Sequence, residues 1–254
     1  TFKSGGTAIT DISVSLMKFS FANTIGDTWR ASYTVDASDT SGAVSFSIAF
    51  ADTAGNAGTA VTSGSGSVTF DKTAPTMTIT AAEVNDGDTS NDGTLSLTFT
   101  ASEATTNFVV GDITVVGGSL GDLSGSGTTY TATFTPTASG ATTIDVAGGA
   151  FTDPAGNNNT AATQFNWTYD GTAPTLSSVS IASDNSPTTL AMEGDVVTLT
   201  FKTSETIATP VVTFKSGGTA ITDISVSLMK FSFANTIGDT WRASYTVDAS
   251  DTSG

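Results

Sequence analysis

Acidic side chains dominate the chemistry that this sequence can offer. Its 254 residues include 24 aspartates and glutamates against 8 lysines and arginines, and they contain neither histidine nor cysteine. Carboxylates are hard oxygen ligands, and they favour Ca²⁺, which takes about six to eight oxygens. Without histidine or cysteine, a zinc site is not expected. The net charge of −16 also argues against nucleic acid as a partner, because phosphate binding needs clustered basic residues.

Three short motifs hold many of these acids, and each motif occurs twice. A Ser-Glu pair ends an alternating apolar run, an Asp-x-Ala-Gly-Asn turn belongs to a later loop, and an Asp-x-Thr-Ala-Pro-Thr linker separates the runs. Their positions are 97–103 and 199–205, 153–157 and 52–56, and 71–76 and 170–175. This recurrence predicts that the acids mark equivalent places in two related modules.

Strands must position these motifs, because the apolar residues around them alternate with a period of two. No segment sustains the 3.6-residue period of a helix, so the sequence predicts an all-β chain. Between the two linkers, the alternating runs predict seven strands at 77–81, 95–101, 108–110, 113–116, 130–134, 144–146 and 165–169. About seven short strands in about 100 residues are typical of an immunoglobulin-like β-sandwich.

The first 42 residues recur without change as residues 213–254. A long exact repeat is typical of an array of modules rather than of a single active site. We therefore expect tandem immunoglobulin-like β-sandwiches of about seven strands, one complete at 74–173 and two partial. Residues 1–73 are predicted to be the C-terminal part of a second kind of module, and 174–254 the N-terminal part of its next copy. The sequence is expected to be a window on a longer polypeptide.

The loops of such a sandwich gather at its two ends. We predict that acids of consecutive modules meet at each junction and share Ca²⁺, because carboxylates this close repel one another without a cation. The predicted ligands at the first junction are Asp71, Glu103, Asp153 and Asn157, with Asp36 and Asp39 from the preceding module. Those at the second are Asp170 and Glu205, Asp52 and Asn56 from the other copy, and Asp86, Asp88 and Asp92.

Each of these motifs also has a purely structural interpretation. Asp-x-Ala-Gly-Asn can be a turn in which Asp caps the loop, Gly takes a positive φ and Asn bonds to its own backbone. The acidic stretch 86–93 is not an EF-hand, because Phe99 stands where the bidentate glutamate belongs, and it is either an oxygen donor or a solvated turn. The aromatic stripe at 165, 167 and 169 could bind sugar, but its strand spacing predicts core.

The segments LTFTASE, FTDPAGNNNTA and DGTAPT together resemble the bacterial immunoglobulin-like (Big) repeats of very large secreted adhesins and biofilm matrix proteins. The resemblance covers essentially the whole chain. It implies a secreted bacterial protein at the cell surface, with tandem sandwiches that extend a binding tip or build a fibre, stalk or matrix filament. Its expected partners are further copies of the same repeat, and a glycan or cell-surface ligand is a further candidate. Membrane insertion is not expected.

Catalysis is not expected, because the chain lacks histidine and cysteine and its acids lie in short loops. The leading hypothesis is a structural and adhesive extracellular repeat protein, stiffened by Ca²⁺ at its module junctions. One alternative is a β-sandwich module that binds carbohydrate or a cell surface directly. The other is an accessory region of a secreted hydrolase.

Overall fold

The computed structural model describes residues 2–4, 6–9, 13–17, 28–229 and 239–251. Within these ranges the chain consists of strands and loops, with one short 3-10 turn at Val110–Asp112. The all-β prediction is therefore confirmed. The chain divides into two compact units, Thr1–Gly171 (unit 1) and Thr172–Gly254 (unit 2). In the described part of the chain, no helix is long and apolar enough to cross a membrane.

Unit 1 begins with a set of short strands. Among the described residues these are β1 Phe2–Ser4, β2 Thr7–Ile9, β3 Ser13–Met17, β4 Thr28–Ser32, β5 Gly42–Phe46 and β6 Thr69–Phe70. They form a four-stranded sheet in the order β2-β1-β5-β6 and a two-stranded sheet of β3 and β4. None of residues 29–74 is buried, so these residues contribute nothing to a closed core.

The rest of unit 1 is a closed sandwich. Its strands are β7 Met77–Ala81, β8 Thr89–Ser90, β9 Leu95–Thr105, β10 Ile113–Val116, β11 Gly118–Leu120, β12 Ser124–Pro136, β13 Gly140–Val146 and β14 Phe165–Tyr169. They form two sheets in the orders β11-β12-β9-β7 and β10-β13-β14-β8. Neighbouring strands are antiparallel except for β8, which runs parallel to β14.

Alternation along these strands builds the core between the two sheets. In β9, Leu95, Leu97 and Phe99 are fully buried while the residues between them face outwards. Phe134 of β12 and Trp167 of β14 lie in opposite sheets, and their ring centroids are 6.3 Å apart. Each large apolar side chain buried in this way contributes about 1.5–3 kcal/mol. The sandwich therefore has an apolar core of its own.

One predicted strand of the sandwich is wrong. Residues 108 and 109 lie in a loop and Val110 begins the 3-10 turn, so this segment is not a strand. Phe108 nevertheless enters the core, where its ring centroid lies 5.1 Å from that of Tyr130 and 5.3 Å from that of Phe151. The apolar pattern correctly predicted that Phe108 is buried. It did not distinguish a loop from a short strand, because a buried loop residue gives the same pattern. The pattern also missed β8 and β11.

Unit 2 contains β15 Leu176–Ser183, β16 Val196–Thr203, β17 Lys215–Ser216, β18 Thr219–Ala220, β19 Ser225–Met229 and β20 Thr240–Thr246. Its four-stranded sheet, β15-β16-β20-β19, has the same connectivity as β7-β9-β12-β11 in unit 1. In the described residues its second sheet consists of β17 and β18. A small cluster of buried apolar residues contains Phe214, Ile221 and Ala243. The three-part division at 1–73, 74–173 and 174–254 stays a prediction.

Candidate metal centre

Three of the predicted ligands meet at one end of the sandwich. Asp71 lies in the linker before β7, Glu103 lies near the end of β9, and Asp153 lies in the loop between β13 and β14. One carboxylate oxygen from each residue lies within 4.8 Å of those of the other two. The linker, a strand and a loop thus supply one acid each, although they are far apart in the sequence.

The strand period places Glu103 at this site. Leu95, Leu97, Phe99 and Ala101 alternate towards the core, and Glu103 is the next residue of the same parity. It lies near the end of β9, and its side chain is half-buried. An acidic residue at an inward position is costly unless it is paired or binds a cation, so this placement favours a cationic ligand.

The Asp153 loop is the turn that its motif predicts. Asn157 donates its backbone N–H to Asp153 Oδ1 at 2.8 Å and its side-chain Nδ2 to Asp153 Oδ2 at 2.7 Å. Gly156 has a φ of 94°, a conformation that glycine adopts at little cost. Asp153 is almost fully buried. The turn therefore holds its carboxylate in one fixed position facing the other two acids.

Asn157 also joins the linker to this loop. Its Nδ2 donates to the backbone carbonyl of Asp71 at 3.1 Å. Thr73 donates its N–H to Asp71 Oδ1 at 2.9 Å, and Thr160 donates its N–H to the carbonyl of Pro75 at 3.0 Å. The first residues of the sandwich are thus fixed by several hydrogen bonds, and Asn157 positions the site through Asp71 and Asp153.

Electrostatics divide the acids of the site into two kinds. Burial, together with the negative charges of Asp71 and Asp153, raises the pKa of Glu103 above its ordinary value. Burial alone would also raise the pKa of Asp153, but hydrogen bonds from Asn157 and from the N–H groups of Gly156 and Ala155 lower it below its ordinary value. Asp153 is therefore a preformed anion, while the charge on Glu103 is unfavourable unless a cation compensates it.

The carboxylates of Asp36 and Asp39 are not part of this group. Asp36 Oδ1 accepts hydrogen bonds from the N–H and hydroxyl of Ser38, and Asp39 Oδ2 accepts one from the N–H of Asp36. Lys72, beside Asp71, donates Nζ to the carbonyls of Ala37 and Asp39 at 3.1 and 2.6 Å. The turn thus lies against the linker through its backbone, an interaction that the sequence analysis did not predict.

The second set of predicted ligands is distributed over both units. Asn56 donates its N–H to Asp52 Oδ1 and its Nδ2 to Asp52 Oδ2, as Asn157 does to Asp153. Asp170 donates its N–H to the carbonyl of Ser90. Glu205 has a buried Oε1 for which the described residues provide no hydrogen-bond donor. Within the described chain, only Asp71, Glu103 and Asp153 form a group of three acids close enough to share an ion.

The acidic loop at 86–92 uses its carboxylates within the sandwich. Asp86 Oδ1 accepts the N–H of Asn166 in β14 at 2.6 Å. Asp88 Oδ2 accepts the N–H of Asn85 at 2.8 Å. Asp92 Oδ2 accepts the hydroxyl of Ser90 at 2.7 Å. These contacts are those of a structured turn.

The segment from the Asp153 loop to β14 bears out one prediction and contains one residue that the sequence analysis missed. Phe165 and Trp167 are buried in the core, so the interpretation of the aromatic stripe as core is correct. The sequence analysis missed Asn159, which is buried and accepts the N–H of Phe151 while donating Nδ2 to the carbonyls of Ala147 and Thr160. This one amide organises the loop that carries Asp153. Its only sequence signal is its place in an Asn-rich run, which a solvated loop would share.

A family model described as a bacterial Ig-like domain matches residues 71–169. The matched segment begins at the first acid of the candidate metal centre and contains β7 to β14 with all three carboxylates. No curated protein matches the chain significantly.

Proposed function

We propose that the chain is a structural region of a secreted bacterial protein, on the basis of the bacterial Ig-like domain model that matches residues 71–169. Such domains are non-catalytic modules of extracellular structural or adhesive proteins. In the proposed role they are joined in series into a long fibre, stalk or matrix filament at the cell surface. Their partners are further copies of the same repeat.

The mechanism of such a protein is spacing. A sandwich built on strands of about 20 Å adds some tens of ångströms to the length of a filament, and modules in series multiply that length. A strongly acidic surface keeps neighbouring filaments apart through charge repulsion. The stiffness of the whole then depends on how firmly each linker is held to the domain that follows it.

Ca²⁺ at Asp71, Glu103 and Asp153 would hold the linker in this way. The observation that carries this proposal is the convergence of three carboxylates, one of them in the linker, within 4.8 Å of one another. Three carboxylates, with water, can supply the oxygen ligands that Ca²⁺ takes. The cation would offset the repulsion that raises the pKa of Glu103. It would also join Asp71 to the end of β9 and to the Asp153 loop.

Calorimetry of the chain with and without Ca²⁺ tests the proposal. Ca²⁺ at about one hundred times its Kd is expected to stabilise the domain by about 2.7 kcal/mol, with a corresponding rise in Tm that a chelator reverses. Glu103→Gln should weaken Ca²⁺ binding strongly. Asp122→Asn, in an exposed loop of the same domain, is the matched control and should bind Ca²⁺ like the parent. A Tm that responds neither to Ca²⁺ nor to chelator would exclude the site.

A further inference from the structure

The first linker, residues 71–76, contains one lysine, and the ammonium group of this lysine is bound by a turn. Lys72 donates Nζ to the carbonyl oxygens of Ala37 and Asp39 at 3.1 and 2.6 Å. Both carbonyls belong to the turn before β5, in which the N–H of Asp39 donates to the carbonyl of Asp36 at 3.2 Å. Two carbonyl oxygens on one turn suit a primary ammonium, which has three donors and no acceptor.

The peptide group between Asp71 and Lys72 is held on both sides. Its N–H, from Lys72, donates to Ser41 Oγ at 3.1 Å, on the side of the preceding sheet. Its carbonyl, from Asp71, accepts Asn157 Nδ2 at 3.1 Å, on the side of the sandwich. Because a peptide group is planar, it cannot rotate without losing one of these bonds. This peptide group is therefore the joint between β6 and the sandwich.

The two charged side chains at this joint attach it to opposite neighbours. The carboxylate of Asp71 lies with those of Glu103 and Asp153 in the candidate metal centre. The ammonium of Lys72 contacts the turn at 36–39. One charge thus connects the linker to the sandwich, and the opposite charge connects it to the sheet that precedes it.

The second linker lacks this lysine. The first linker reads DKTAPT and the second DGTAPT, so Gly171 stands in the place of Lys72. The backbone contact is kept, because the N–H of Gly171 donates to Ser139 Oγ at 3.0 Å. A Cβ added at Gly171 would clash with the hydroxyl of Tyr169. The two linkers therefore share the contact to a serine hydroxyl and differ in the cation.

We propose that Lys72 is a tethered cation that locks the first linker onto the turn at 36–39, and so fixes the sandwich relative to the sheet before it. This inference deepens the structural role proposed above, on which its purpose rests, by naming a residue that sets the stiffness of one linker. The lock does not need Ca²⁺, because the ammonium supplies its own charge.

Distances between two spin labels measure the lock. The chain has no cysteine, so Ser45→Cys in β5 and Thr131→Cys in β12, both at exposed positions, introduce two unique labelling sites. With chelator present, the parent should give one narrow distribution of distances. Lys72→Met keeps most of the aliphatic stem and removes the ammonium, so it should broaden this distribution. It should also lower the hydrogen-exchange protection of the amide at residue 72 by about five-fold, as expected for the loss of one typical hydrogen bond.

Two control variants carry the same pair of labels. Lys202→Met in β16 makes the same change of charge elsewhere in the chain and should give the distribution of the parent. Glu103→Gln, also with chelator, should give it as well, because the lock does not involve the metal centre. An unchanged distribution in Lys72→Met would overturn the proposal, as would equal broadening in Lys202→Met. Ca²⁺ titration of the same samples reports separately on the metal centre, so failure of one proposal leaves the other measurable.

Discussion

Trp29 and Trp241 are the same residue of the same 42-residue sequence, and they lie in opposite environments. Trp29 is 63% exposed and Trp241 is 5% exposed. The strand pairing around them is identical: Leu16 lies opposite Trp29 and Leu228 opposite Trp241. The hairpin is therefore set by local sequence, while the burial of its tryptophan is set by strands elsewhere in the chain.

The strand that makes the difference is β16. In unit 2 it pairs with β20 along seven residues, from Val196 opposite Thr246 to Lys202 opposite Thr240. In unit 1, β4 pairs with β3 alone among the described strands. Local hairpin propensity is thus enough to form the pair, but a hairpin alone is marginally stable. Comparing the two copies therefore separates what the hairpin sequence contributes to stability from what packing against other strands contributes.

The largest expected change in stability comes from replacing the two tryptophans, and it tests whether packing by other strands makes the difference between the two hairpins. Trp241→Ala should lower the free energy of unfolding of unit 2 by about 3–5 kcal/mol, as expected for a buried aromatic residue. Trp29→Ala should change stability by no more than about 0.5 kcal/mol, as expected for an exposed position. Hydrogen exchange of the β20 and β4 amides measures both. Equal losses at the two positions would mean that β4 is also packed in solution.

A smaller change in stability is expected in the two Asp-x-Ala-Gly-Asn loops, which share their hydrogen bonds but differ in burial. Asp153→Ala should destabilise the complete domain by about 1–3 kcal/mol, because it removes the carboxylate that accepts the backbone N–H and the Nδ2 of Asn157 in a buried site. Asp52→Ala removes the same pattern at the surface and should leave Tm unchanged, since water can replace it. Thermal unfolding of the two variants, each measured with chelator, gives the difference. A drop in Tm for Asp52→Ala would show that its loop is packed.

Much of this architecture can be predicted from the sequence, because a strand period of two reports burial directly. The runs at 77–81, 95–101, 130–134 and 165–169 lie in the strands β7, β9, β12 and β14. Glu103 follows the parity of β9, so its inward position can also be predicted. The meeting of Asp71, Glu103 and Asp153 needed one more assumption, the sandwich topology that brings the three segments to one end. The metal itself stays a prediction.

Other features could not be predicted, for physical reasons. No sequence rule can assign different burial to Trp29 and Trp241, because their local sequences are identical. Phe108 is buried from a loop, where no period exists to reveal it. Asn159 is a buried amide whose partners are backbone carbonyls and an N–H from its own loop. These three cases depend on non-local packing, which a pattern of residue types does not contain.

The smallest expected effect is the pH dependence of stability at the site of Asp71, Glu103 and Asp153, the one group of three such acids in the described chain. Because the pKa of Glu103 is raised from 4.5, its ionisation destabilises the calcium-free domain at neutral pH, and that cost disappears as pH falls through the raised pKa. Because the pKa of Asp153 is lowered from 3.8, its stabilising contribution is present above pH 3.8 and is lost as pH falls through the lowered value.

Taken together, these two carboxylates should therefore favour the folded calcium-free domain most near pH 4, below the raised pKa of Glu103 and above the lowered pKa of Asp153. Glu103→Gln should raise its Tm at pH 7, by the equivalent of at most about 1 kcal/mol, and leave it unchanged near pH 4. Asp122→Asn is again the control and should follow the parent at both pH values. With Ca²⁺ present, Glu103→Gln should instead have a lower Tm than the parent at pH 7, because the parent binds the ion through a carboxylate that the variant lacks. A Glu103→Gln variant less stable than the parent without Ca²⁺ at pH 7 would mean that this carboxylate has a stabilising partner other than a cation.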